Sequence, residues 1–179
     1  MSDLVVFTYE TEEKAADVLA EVATLKQENV QKALIQIEDA AVAVKNADGK
    51  VKVTQTLERI IKGGRLMSGG FWGLLIGFLF GGPLLGALLG VGINALFGRR
   101  IDIGINNEFI DDLSNQLEVG NSALFLLTNG TPVEDIAGAL NKHGGTLLHT
   151  SFSQEASDIL AQASEQEEIK EAIEAQFED

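Results

Sequence analysis

Apolar and polar positions change rhythm several times along this chain. The segment LVVFTYE (4–10) is rich in β-formers, and TEEKAADVLAEVATLKQEN follows it with Ala15, Val18, Leu19, Val22 and Leu25 at helical spacing. The next stretches, ALIQIEDAAVAV and KVKVTQTL, repeat with a period of two at Ile35 and Ile37, Val42 and Val44, and Val51 and Val53. Asp48-Gly49 supplies the turn of a hairpin between them. Further on, NEFIDDLSNQL sets Phe109, Ile110, Leu113 and Leu117 on one helical face, and SALFLLT reads as a short buried strand. Strand, helix, two strands, helix, strand is the ferredoxin-like order, so an α+β fold is expected. An extra αβ unit extends it. Thr131 as N-cap, Pro132 at the first helical position and Glu134 three after the cap predict a capping box, and Gly144 is placed to close that helix. GTLLHTSF is expected at the sheet edge. From Ser153 a C-terminal amphipathic helix aligns Ile159, Leu160, Ala163, Ile169, Ile173 and Phe177 along one side.

Between the hairpin and the second helix lies a run of another kind, GGFWGLLIGFLFGGPLLGALLGVGINALFG (69–98), which carries no charge. Gly69, Gly73, Gly77 and Gly81 stand four apart, Gly82, Gly86 and Gly90 repeat the spacing, and Asn94 and Gly98 continue it. Residues four apart share a helix face, and rows of small residues let helix backbones approach closely in apolar surroundings. Gly81-Gly82-Pro83 interrupts the pattern, which predicts a glycine-rich apolar helical hairpin inserted into the sheet domain. Each arm, of roughly 15 residues, is about 22 Å long against a hydrocarbon core of about 30 Å. Arg59, Lys62 and Arg65 precede the run and Arg99 and Arg100 follow it. Both ends on one side of a bilayer would suit the positive-inside tendency, and Trp72 would suit an interface seat. The faces carrying Phe71, Leu74, Leu75, Phe78, Leu79, Leu84, Leu85, Leu88 and Leu89 are expected to need lipid or other subunits. Burial within one monomer is the alternative, against which stands the limited surface of a small domain. The expected division is residues 1–57 and 101–152 for the two parts of the ferredoxin-like domain, 58–100 for the inserted hairpin, and 153–179 for the acidic C-terminal helix.

Charge narrows the partners. The 179 residues carry a formal net charge of -14, which argues against a nucleic-acid surface, since binding a polyanion needs clustered Lys and Arg. Nine acids against Lys170 alone in residues 154–179 account for -8 of that charge. Cysteine is absent, which removes disulfides and thiolate metal sites. MSDLVVFTYE lacks the basic-then-apolar order of a signal peptide, so the polar parts are expected in the cytoplasm.

Signals for chemistry are weak. Gly90-Val91-Gly92-Ile93-Asn94-Ala95 fits a loose dinucleotide fingerprint but sits inside an apolar helical arm, where no strand leads into it. No lysine is followed by serine or threonine, which removes a P-loop. His143 and His149 lack a second ligand pattern and read as a helix end and a strand position. Asp111 and Asp112 are expected at a helix start, where acids suit the dipole. Glu167, Glu171, Glu174 and Glu178 form a stripe that reads as a solvated face more readily than as a loose calcium site. No catalytic residue, cofactor or metal is expected.

The stretch GGFWGLLIGFLFGGPLLGALLG, then DIGINNEFIDDL, SALFLL and LHTSFS, resembles the bacterial domain-of-unknown-function family 1269, often labelled predicted membrane protein. The likeness reaches to about residue 160, and the glycine hairpin followed by DIGI (Asp102 to Ile105) is its most specific part. The tail after Glu165 is less typical of the family, and the label carries no reaction, cofactor or catalytic residue. The expected function is a non-enzymatic, membrane-associated homo-oligomeric scaffold on the cytoplasmic side of the inner membrane, with itself and the lipid bilayer as partners. Two alternatives stay open: a soluble cytoplasmic homo-oligomer whose hairpins share an apolar interior, and a small-ligand-binding or sensory ferredoxin-like domain.

Overall fold

The structure is a computed structural model in which residues 2–28, 36–60, 69–80 and 104–164 are described. It is an α+β fold built on a five-stranded antiparallel sheet. In chain order the elements are β1 (Ser2–Tyr9), α1 (Lys14–Glu28), β2 (Ile37–Lys45), β3 (Val51–Thr56), the single turn α2 (Leu57–Ile60) and α3 (Gly69–Phe80). There follow α4 (Asn107–Gln116), β4 (Ser122–Thr128), α5 (Val133–Leu140), a 3-10 turn (Asn141–His143), β5 (Thr146–Phe152) and α6 (Gln154–Ser164).

The strand order is β3-β2-β4-β1-β5. β4 is the inner strand, pairing Leu126 with Val5 on one side and with Ala40 on the other. Its sequence, SALFLLT, is buried at every position, as a strand covered on both faces must be. A ferredoxin-like set made of the first four strands would seat β3 next to β1; here β3 touches β2 alone and forms one edge. β5 forms the opposite edge beside β1, where the sequence placed it.

The period of two separates two cores. Val5, Phe7 and Tyr9 of β1 join Val42, Val44, Leu124 and Leu126 beneath α1 and α5, which contribute Val18, Leu19, Val22, Ile136 and Leu140. Leu4 and Val6 join Ala41, Ala43, Ala123, Phe125 and Leu127 on the other face, beneath α3, α4 and α6.

Here the structure corrects the expectation for the first arm of the apolar run. Phe71, Leu74, Leu75 and Leu79 are buried and Phe78 partly so, all within this one chain. α3 lies against β3, α6 and α4. The physical reason is the small side chains on this face of β2 and β4: Ala41, Ala43 and Ala123 leave room for bulky helix residues to seat close to the sheet. Burying a large apolar side chain contributes about 1.5–3 kcal/mol, and several of them outweigh the roughly 1 kcal/mol that each interior glycine costs a helix. Twelve residues make α3 about 18 Å long. No described helix is long and apolar enough to cross a membrane.

Two local expectations also change. Thr131 does not cap α5: its hydroxyl donates to Gln36 Oε1 at 2.9 Å, and the residue flanking the helix, Pro132, offers no side-chain cap. Asp111 and Asp112 lie in the second turn of α4, exposed, while Asn106 caps it by accepting from the Glu108 N–H at 2.9 Å.

Candidate functional site

At the end of β1 the pleat turns Tyr9 toward α1 and α5, and the chain then enters the short loop that opens α1. Ser122 at the start of β4 fixes that loop. Its hydroxyl donates to Thr11 O at 2.6 Å and accepts from the Ala15 N–H at 3.1 Å. From the other side, the 3-10 turn delivers the chain into β5 through Gly144 and Gly145, with φ of 69° and 88°. A Cβ on Gly145 would stand 2.6 Å from Tyr9 Cε1 and 3.0 Å from Thr8 O, so the close approach of this turn to the tyrosine ring requires glycine.

Between these segments lies a cavity of about 370 Å³, whose lining includes Tyr9, Glu10, Lys14, His143, Gly145 and Thr146. Tyr9 is 4 % exposed, and its buried hydroxyl has no hydrogen-bond partner among the described residues. Burial pushes its pKa up to about 12. At neutral pH it is an O–H donor with no acceptor among the described residues, an uncommon condition for a buried polar group. Lys14 begins α1, where the helix dipole adds positive potential.

His143 at the cavity wall stands 3.0 Å from Glu21 Oε2, and Lys142 forms an ion pair with the same carboxylate. The Lys142 hydrogen bond, ahead of the charges of His143 and Lys142, holds the Glu21 carboxyl below its ordinary value. This cluster ties the 3-10 turn to α1.

A second polar group lies across β1 and β5. Ser151 Oγ donates to Asp3 Oδ1 at 2.5 Å, and His149 Nε2 stands 3.2 Å from the same oxygen. Serine and histidine both address the carboxylate, so the nucleophile-to-base contact of a catalytic triad is not formed. Among the described residues no group of three or more His, Cys, Asp and Glu is gathered as a metal site would need.

Asp39 is 1 % exposed where β2 breaks register. Its Oδ1 accepts from the Ala40 N–H at 2.8 Å and its Oδ2 from Trp72 Nε1 at 3.1 Å. Trp72 is therefore a core residue, stacked edge-on with Phe71 at 5.6 Å, and not an interfacial one. The indole N–H needs an acceptor when buried, and β2 supplies it.

Of the sequence-picked residues, Gly69, Trp72, Gly73 and Gly77 lie in α3, with Gly73 buried and Gly77 half-buried, and Arg59 lies in α2. Gly81, Gly82, Pro83, Gly86, Gly90, Gly98, Lys62, Arg65, Arg99 and Arg100 fall outside the described residues, as does the turn expected at Gly81-Gly82-Pro83. Sequence reasoning missed Tyr9, Gly145 and Asp39. Tyr9 continues the Val5–Phe7 alternation and Asp39 interrupts an apolar strand, which are visible signals, but neither tells what the side chain meets.

No curated protein and no solved structure matches the chain. The profile of one family, protein of unknown function (DUF1269), matches residues 66–165, more than half of the sequence. That stretch takes in α3, α4, β4, α5, the 3-10 turn, β5 and α6, and the chain belongs to this family.

Proposed function

We propose that this is a non-catalytic, small-ligand-binding domain of ferredoxin-like architecture, whose ligand enters the cavity at the end of β1. The observation that carries the reading is the cavity itself, about 370 Å³ between the end of β1, the start of α1 and the 3-10 turn, with Lys14, His143, Gly145 and Thr146 in its lining. That volume falls within the ordinary range of ligand sites, about 300–1,000 Å³. The architecture is supported by strand directions. β1 and β2 both run antiparallel to β4, and so parallel to each other across α1; β4 and β5 are related in the same way across α5. In this reading β1, α1, β2, β4, α5 and β5 form the ferredoxin-like set, β3 is an added edge strand, and residues 58–100 are inserted between the strands. Small-molecule screening by thermal shift tests it: a binder should raise the melting temperature of the wild type by more than that of Thr146→Trp, which places a bulky side chain in the cavity lining. A compound that binds both proteins equally well argues against this site.

A second reading keeps the homo-oligomeric, membrane-associated scaffold, on the cytoplasmic side of the inner membrane. It is favoured by residues 81–98, which are uncharged, keep the four-residue glycine spacing and lead into Arg99 and Arg100. Because the large side chains of α3 are already used in the core, this reading rests on the second arm. Fractionation after lysis without detergent, with the mass measured by light scattering, tests it; a monomer that never meets the membrane pellet excludes it.

A further inference from the structure

The sheet ends in two unlike edges. β3 carries Lys52, and its pairing with β2 skips Thr54, a bulge that blunts this edge against further pairing. β5 has neither device. Its seven residues, TLLHTSF, hold no proline, lysine, arginine, aspartate or glutamate, and its register against β1 runs unbroken from Thr146 to Phe152. Among the described residues it pairs with β1 alone, and Thr146, Leu147 and His149 are exposed. Such an edge is a template for one more strand.

The two faces beside that edge differ in kind. On the side of Leu148, α4 packs over the strand, and a cleft of about 210 Å³ opens between them. Phe109 lines it, and Glu108 and Asp112, one helical turn apart, set two exposed carboxylates on its α4 wall. On the other side, Leu147 shares the face of Phe7 and is 38 % exposed, while His149 and Ser151 already address Asp3. A strand added here would present alternate side chains to these two faces. A second copy pairing about the strand's midpoint, His149, would bring Glu108 and Asp112 near their own counterparts, in a chain of net charge -14. The charges favour a partner of opposite sign. From the bare β5 edge beside this acidic cleft we infer that β5 receives an extended segment of a basic partner protein, in which lysine or arginine alternates with β-branched apolar residues. Its backbone pairs with β5, its basic side chains point to Glu108 and Asp112, and its apolar ones cover Leu147. The inference does not rest on the cavity at the end of β1.

Fluorescence anisotropy of the full chain with a labelled heptapeptide, Lys-Val-Lys-Val-Lys-Val-Lys, tests it at about 0.15 M salt, where loose charge attraction is screened. Two control peptides accompany it: one of the same composition with the valines in a block, and one with glutamate in place of lysine. The alternating basic peptide should bind about tenfold more tightly than either, because it alone offers both the charge and the strand period. Glu108→Gln combined with Asp112→Asn should weaken it about fivefold, as the loss of two exposed ion pairs allows, with the melting temperature verifying the fold. Hydrogen exchange on binding should slow in β5 and stay unchanged in β3. Equal binding of the block peptide would reduce the contact to charge alone, and equal binding of the glutamate peptide, or indifference to the double variant, would remove charge from it; each overturns the inference. So would absence of binding, protection outside β5, or a chain that is already a dimer with protected β5 amides before peptide is added, since a second copy would then hold the edge.

Discussion

Trp72 Nε1 donates to Asp39 Oδ2 across 3.1 Å, joining the first turn of the apolar helix α3 to a bulged position in β2. Both partners are buried, so neither exchanges this bond for water. The bond fixes the seating of a helix that packs largely through apolar side chains, whose contacts are not directional.

Asp39→Ala should therefore destabilise the protein by about 1–3 kcal/mol, since the indole N–H stays buried without its acceptor. Trp72 is the single tryptophan, so its emission during urea unfolding follows α3 directly. An unchanged midpoint would mean that the pair does not hold the helix.

Tyr9→Phe should behave in the opposite sense. Removing a buried hydroxyl without a partner leaves no group stranded, so stability should stay level or rise by up to about 1 kcal/mol. Urea midpoints of the two proteins, measured without ligand, decide this. A clear loss would show that the hydroxyl has a partner after all.

The same residue sets an alkaline limit. Burial lifts its pKa to about 12, against about 10 for a free tyrosine. Above about pH 10 the unfolded chain gives up a proton that the folded chain retains, so the unfolded state gains and stability falls as pH rises through about 12. Below about pH 10 this contribution is complete. Phenolate absorbance, native and in urea, should give two well-separated titrations.

Gly144 and Gly145 offer a controlled contrast. Both have positive φ, but a Cβ at Gly144 meets nothing within 4 Å, whereas at Gly145 it collides with Tyr9 and Thr8. Gly144, at φ 69° and ψ -147°, lies in a backbone region nearly reserved for glycine, so Gly144→Ala should cost about 1–3 kcal/mol from the backbone alone, and Gly145→Ala should cost more because the collision adds to the strain. Equal midpoints for the two variants would contradict the close approach.

Gly73→Leu and Gly86→Leu separate the arms of the apolar run. Gly73 is buried in α3, so overpacking there should lower stability by about 1–3 kcal/mol whatever the subunit number. If the second arm mediates self-association, Gly86→Leu should reduce the mass in solution instead. An unchanged mass would remove the glycine row from that role.

Much of the fold is legible in residue spacing. Phe109 and Leu113 mark the buried face of α4, Val5 and Phe7 mark one face of β1, and the uninterrupted apolar SALFLLT marks a strand covered on both sides. Spacing tells which face a residue is on, but not which strand lies next to it, and so the place of β3 at the edge was not readable. The role of α3 was obscured by its composition. Glycine and leucine at these intervals serve lipid, another subunit or the same chain equally well, and the deciding feature is the flat alanine surface of β2 and β4, far away in sequence. Nor does the sequence disclose that Ser122 and Gly145 converge on the end of β1, because the convergence depends on strands more than a hundred residues apart.

β4 is hydrogen-bonded to both β1 and β2, yet it follows them only after the whole apolar run. The entropy of closing that long loop must be met before either pairing returns anything, which makes these contacts slow to form. During synthesis β1 and β2 leave the ribosome without the strand that joins them, and α3 emerges before Phe125, one of the residues it will cover. A nascent chain that has not yet reached Ser122 thus carries unpaired strand edges and an apolar helix lacking part of its seat, the kind of surface that chaperones hold. The order of elements along the chain gives this protein a vulnerable interval in its own production, which ends when β4 arrives.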